Sequence, residues 1–168
     1  MNAPLSSGQE DALSRADRQA QVVHALQAVL PAHALLWQSE DTVPYECDGL
    51  TAYRTRPLVV ALPENEAQVS AVLRTCHKLN VPVVARGAGT GLSGGAMPHT
   101  LGVTMSLAKF NNIVKIDPVS RTAVVQCGVR NLAISEAAAP FGLYYAPDPS
   151  SQIACTIGGN VAENSGGV

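Results

Sequence analysis

Aromatic residues are scarce in this 168-residue chain: two Phe, four Tyr and one Trp, 4% of the total. Neither sign of charge dominates, the formal net charge being −2. Nucleic-acid binding through a basic face or through stacking on aromatic platforms therefore has no support. The cysteines, Cys47, Cys76, Cys127 and Cys155, form no CxxC pair, and His24, His33, His77 and His99 show no HxH or HExxH spacing. Reduced thiols in a cytosolic protein are expected, with no metal site inside the chain. No apolar run approaches the roughly 20 residues of a membrane span. The first twenty residues include Glu10, Asp11, Arg15, Asp17 and Arg18, which leaves no apolar stretch for a signal peptide.

Hydrophobic residues are abundant, at 46%, and only 14% are charged. One ordered domain that buries a real core is expected. Residues 1–17 are polar and expected to be flexible. From Arg18 the pattern turns helical: Val22, Val23, Leu26, Val29 and Leu30 share a face, and Pro31 stops it. Residues 43–56 are irregular, broken by Pro44 and Gly49.

An alternation of strand and helix follows. Residues 58–62 (LVVAL) form a continuous apolar run of the kind buried on both faces. Asn65 is placed to cap a helix whose apolar face is Val69, Val72, Leu73, Cys76 and Leu79. Residues 81–85 give a second strand, so the unit predicts parallel strands joined by a right-handed crossover. Val103, Met105 and Leu107 alternate like a strand, and residues 113–116 and 122–125 flank Asp117-Pro118-Val119-Ser120 as a hairpin. Asn131 is positioned to cap a short helix ending near Ala139.

Five glycines, Gly87, Gly89, Gly91, Gly94 and Gly95, follow the second strand in PVVARGAGTGLSGGAMP. Each would cost a helix or strand roughly 0.5–1 kcal/mol relative to alanine, so the stretch is a loop. GTGLSG matches G-x-G-x-x-G, but a dinucleotide fingerprint needs a helix starting at the loop. Gly95, Pro98 and Gly102 leave no room for one, and the next carboxylate, Asp117, lies too far on. A P-loop needs Lys and Ser/Thr where Gly95 and Ala96 stand. What remains is a loop whose own N–H groups wrap an anion, with Thr90 and Ser93 adding hydroxyl donors. A plain surface loop is the alternative.

The stretch from Arg86 to Gly95 resembles the pyrophosphate loop of FAD enzymes of the vanillyl-alcohol oxidase/PCMH type. PDPSS from Pro147 and TIGGNVAENSGG from Thr156 resemble the same family's second flavin-contacting segment. With YECDGL from Tyr45, the resemblance narrows to the branch of FAD-linked glycolate oxidase D subunits and D-lactate dehydrogenases.

This resemblance implies an α+β fold: a PCMH-type FAD-binding domain, with a small parallel β-α-β subdomain and the start of a second, mixed sheet. That partial domain would span residues 57–168, after a flexible 1–17 and a helical and irregular 18–56. It implies oxidation of a 2-hydroxy acid such as glycolate to the 2-oxo acid, with electrons passed to an acceptor and with partner subunits. A cytoplasmic location is implied, peripheral to the inner membrane through those partners. Thr90 stands where covalent relatives carry histidine, which implies non-covalent FAD. Family members continue well past residue 168, into a cap with a histidine-containing catalytic and metal-binding motif. No catalytic residue is therefore assigned in this chain, and the rival expectations are a fragment that binds flavin or a nucleotide without catalysis and a D-lactate dehydrogenase of the same fold.

The cofactor-binding candidates are Gly87, Ala88, Gly89, Thr90, Gly91, Leu92, Ser93, Gly94, Pro147, Asp148, Thr156, Gly158, Gly159, Asn160 and Asn164. Asn160 and Asn164, four apart, would share a helical face and offer amides to the flavin, or would cap that turn. Arg86 would neutralise phosphate or make a surface salt bridge. Tyr144, Tyr145 and His77 are expected to be structural, and Lys109 and Lys115 solvated. Cys155 adjoins the second motif without an expected redox role.

Overall fold

The computed structural model describes residues 7–167. Helix α1 spans Ser7–Gln27, so it begins well before Arg18, where apolar periodicity starts. Polar contacts anchor the helix from Arg15 onward. Arg15 donates to the carbonyl oxygens of Arg56 and Pro57, Arg18 to those of Leu79 and Asn80, and Gln19 to those of Trp37 and Leu58. These bonds tie the helix to backbone carbonyls just outside the strands and at the turn after residue 78, and no hydrophobic pattern announces them. Residues 1–6 of the expected flexible segment lie outside the described residues.

Two short elements follow, β1 (Leu35–Leu36) and α2 (Ser39–Thr42). Strand β2 (Val59–Ala61) is fully buried, set between the buried prolines Pro57 and Pro63. Asn65 caps α3 (Glu66–Lys78), its Oδ1 accepting from the Gln68 N–H at 3.0 Å, as its position predicts. Val72 and Cys76 are buried on the inner face of α3, whereas Leu73, expected there, is 44% exposed. Asn80, at φ 53°, turns the chain into β3 (Val83–Arg86).

The main sheet has the order β1-β2-β4-β3, where β4 is Val103–Ser106. Strands β2 and β3 are parallel, as the strand–helix–strand unit implies, but they are not neighbours: β4 inserts between them, parallel to both. Periodicity identifies a strand and is silent on which strands flank it. Strand β1 adds an antiparallel edge. The core joins Val22, Leu26 and Leu30 to Leu58, Val59, Val72, Val103 and Met105. Each such side chain, fully buried, contributes roughly 1.5–3 kcal/mol.

Neighbouring parallel strands need a long crossover, usually helical. Between β3 and β4 the crossover is the glycine-rich loop itself, residues 87–102. It leaves the carboxyl end of the sheet at Arg86 and returns to the amino end, where Val103 N–H meets the Pro82 carbonyl at 2.9 Å.

Strands β5 (Ile113–Asp117) and β6 (Thr122–Val125) form an antiparallel hairpin. In its turn, the Asp117 carboxylate accepts from the N–H groups of Val119 and Ser120. Helix α4 (Asn131–Ala138) and helix α5 (Ile157–Glu163) complete the chain. Asn131 is not the cap of α4; Arg130 holds that position and Asn131 is the first helical residue, fully buried. Among the described residues, no helix is long and apolar enough to cross a membrane. All four cysteines are free thiols.

Candidate functional site

A cleft of about 540 Å³ opens between the loop after β3 and the segment that leads into α5. Its volume falls in the range of small-molecule sites, about 300–1,000 Å³.

The first wall is the glycine loop. Gly89 has φ +73°, a left-handed conformation that costs a β-carbon-bearing residue energy. A Cβ there would also strike the guanidinium of Arg86. That guanidinium is neither a surface salt bridge nor open to solvent. Arg86 is 9% exposed, donates to the Cys47 carbonyl at 2.7 Å and lies 5.7 Å from the centroid of the Tyr45 ring. It holds the 45–47 segment beneath the loop while still lining the cleft.

The second wall is pinned by backbone pairing. Thr156 bridges Arg130, Ile157 N–H donates to the Val129 carbonyl at 2.9 Å, and Gly158 N–H donates to that of Cys127 at 2.8 Å. The two walls touch at Gly87, where a Cβ would collide with Thr156 Oγ1. That hydroxyl is buried and has no hydrogen-bond partner among the described residues. A buried hydroxyl without a partner costs roughly 1–3 kcal/mol, and a ligand in the cleft is the natural source of one.

Of the residues singled out in the sequence, Gly87, Ala88, Thr90, Gly91, Leu92, Ser93, Thr156, Gly158, Gly159 and Asn160 line the cleft together. Gly89 and Gly94 do not; both have positive φ and shape the loop from behind. Pro147 and Asp148 lie off the lining, which Pro149, Ser150 and Ser151 reach instead. Asp148 is exposed, and its N–H donates to the Gly166 carbonyl at 3.2 Å.

Asn160 and Asn164 do not share a face. Helix α5 ends at Glu163, and Asn164 turns away in the left-handed conformation, φ 53°. Asn160 is 7% exposed, and its Nδ2 donates to Asn131 Oδ1 at 2.9 Å. Asn131 in turn donates through Nδ2 to the Pro147 carbonyl at 2.9 Å.

Glu163 carried no signal in the sequence. Its carboxylate rests on the glycine loop, Oε1 being 3.3 Å from a Cβ placed on Gly91 and against one placed on Gly95. Among the described residues, Arg86 and Glu163 are the charged side chains on the lining. Cys155 is buried on the cleft floor as a free thiol. Tyr144 and Tyr145 belong to a separate groove of about 340 Å³ beside the hairpin. His77 and Lys109 are exposed, and Lys115 pairs with Asp117.

The donor set fits an extended anionic cofactor with an aromatic end. A glycine-rich loop that also bears the Thr90 and Ser93 hydroxyls suits phosphate oxygens. The opposite wall offers the unpartnered Thr156 hydroxyl and a buried amide.

Comparison with known proteins indicates FAD as the cofactor. The family model described as "FAD binding domain" matches residues 57–168. The chain is 61% identical over 159 residues to the glycolate oxidase subunit GlcD of Escherichia coli K12, covering 95% of this chain and 32% of that protein. It is 40% identical to a D-lactate dehydrogenase of Archaeoglobus fulgidus, covering 66% of this chain and 24% of that protein. The structure of an alkyldihydroxyacetonephosphate synthase superposes with a TM-score of 0.77 at 22% identity, over 88% of this chain and 32% of that one. The chain thus spans about a quarter to a third of the length of the curated relatives it matches.

Proposed function

The chain belongs to the FAD binding domain family, and from that premise we propose that it forms the flavin-holding part of a longer 2-hydroxy-acid oxidoreductase acting on glycolate. The observation that carries this reading is the cleft itself, where a helix-free glycine loop faces the 155–160 wall. The similarity to a glycolate oxidase subunit supports a 2-hydroxy-acid substrate and assembly with partner subunits.

In this reading the backbone N–H groups of Gly87, Ala88, Thr90, Gly91 and Leu92, with the Thr90 and Ser93 hydroxyls, hold the diphosphate, and Gly89 sets the turn that presents them. The glycines matter because they let the backbone come close to it. Thr156, Gly158, Gly159 and Asn160 meet the flavin end. Pro147 and Asp148 set the course of the 147–151 segment, and Gly94 and Asn164 set the bends of the two walls. Thr90 offers no nucleophilic nitrogen, so attachment is non-covalent. When bound, FAD supplies the two-electron acceptor for hydride removal from the hydroxy acid. The chain supplies orientation, and no group within it is assigned as the base that takes the hydroxyl proton.

The test is purification of the longer protein, with dye reduction measured separately on glycolate and D-lactate. Bound FAD and faster turnover of glycolate support the proposal. Bound FAD with preference for D-lactate moves the substrate, and a flavin-free protein removes the proposal altogether. The 168 residues alone are expected to bind FAD weakly and to lack glycolate oxidation.

A further inference from the structure

Gly49 belongs to neither wall of the cleft, yet the glycine loop rests on it. A Cβ at this position would lie 2.6 Å from the Thr90 carbonyl oxygen, 2.9 Å from the Gly91 carbonyl oxygen and 3.0 Å from the Thr90 carbonyl carbon. Backbone freedom does not explain the glycine, because its φ is outside the left-handed region. Core packing does not explain it either, because Gly49 is exposed. What position 49 requires is close approach to two consecutive peptides of the loop. The platform is fixed around it: Arg86 donates to the Cys47 carbonyl at 2.7 Å, and the buried Asp48 carboxylate accepts from the Leu50 N–H at 2.9 Å.

The contact gives the loop a polarity. The loop atoms nearest position 49 are the two oxygens, so both peptides turn their oxygen edges toward Gly49. None of the described peptide bonds is cis, and in a trans peptide the N–H lies on the edge opposite the oxygen. The N–H groups of Gly91 and Leu92 are therefore turned away from Gly49, and neither has a hydrogen-bond partner among the described residues. Both residues line the cleft. Successive free N–H groups on one side of a chain make an anion-binding concavity.

We propose that Gly49 is a positioning residue. By taking the Thr90 and Gly91 carbonyls against its bare face, it leaves the Gly91 and Leu92 N–H groups as a pair of donors to the cofactor's diphosphate. The proposal rests on the FAD reading and adds a requirement at a residue outside the cleft. A methyl group at position 49 must displace the two peptides, and the paired donors move with them.

The test uses the full-length protein. In wild type isotopically labelled at glycine and leucine nitrogen, the Gly91 and Leu92 amide protons should move downfield when FAD is added, as protons donated to phosphate do. Gly49→Ala should bind FAD at least about tenfold more weakly, because charge-assisted hydrogen bonds are lost. At saturating FAD, the same variant should shift the phosphorus NMR resonances of the bound diphosphate and leave the visible spectrum of the flavin ring unchanged. The wild-type amide arm decides even if the variant fails to fold. The inference is overturned if FAD binds the wild type while both amides stay unmoved, or if Gly49→Ala keeps wild-type affinity. It is also overturned if the variant binds weakly with unchanged phosphorus resonances, which is what a merely structural role would give. Failure of FAD to bind the wild type would instead overturn the underlying flavin reading.

Discussion

Gly87 and Thr156 are in direct apposition: a methyl group on Gly87 would overlap the threonine Oγ1. This contact sets the spacing of the two walls, since Gly87 opens the loop and Thr156 opens the segment leading into α5. Gly87→Ala should push the walls apart while the sheet beneath stays intact. FAD affinity of the full-length protein is expected to fall at least about tenfold, the equivalent of about 1.4 kcal/mol, with an unchanged far-ultraviolet circular dichroism spectrum. Wild-type affinity in the variant would show that the wall spacing does not matter for binding.

The Glu163 carboxylate sits where a bound diphosphate would add like charge. Glu163→Gln keeps the shape and removes the repulsion. FAD should bind about two- to fivefold more tightly at low salt, with the gain shrinking as ionic strength rises. A salt-independent result, or weaker binding, would place Glu163 away from the phosphates.

Thr90 predicts free exchange of the flavin. Precipitating the holoprotein with acid should release all yellow colour into the supernatant. Colour retained on the pellet would mean a covalent link through some other side chain.

Burial on α3 pushes the Cys76 thiol up from 9.0 to about 11. Its neutral form is the one the fold accommodates, so its contribution to stability is complete below pH 9. Between pH 9 and about 11 the unfolded chain ionises first, and stability declines through that window. Urea midpoints across this range, compared with those of Cys76→Ala, should show a shallower decline in the variant. Equal slopes would mean that other groups carry the alkaline loss.

The elements legible in the sequence were those governed by local rules. The apolar run of β2 between two prolines, the Asn65 cap and the Asp117 turn all depend on residues within a few positions of one another. What escaped depends on distant partners. The middle turns of α1 are held by polar bonds from Arg15 and Arg18 to carbonyls some forty to sixty positions away. The place of β4 between β2 and β3 is a property of the sheet, not of the strand. Asn131 has the side chain of a helix cap, and cap chemistry and buried-network chemistry use the same amide; only burial beside Pro147 and Asn160 tells them apart. Both halves of the cleft were legible as motifs, because glycine loops leave a compositional mark. The inward carboxylate of Glu163 leaves none.

The central claim is that the loop after β3 holds the FAD diphosphate, and its most direct measurement is flavin content after gel filtration of full-length wild type and Gly89→Val. At position 89 a valine faces both the positive φ of +73° and the Arg86 guanidinium, without touching the apolar core. The account predicts one FAD per wild-type chain and loss of flavin from a variant with a native circular dichroism spectrum. A Gly89→Val protein that keeps stoichiometric FAD would contradict it.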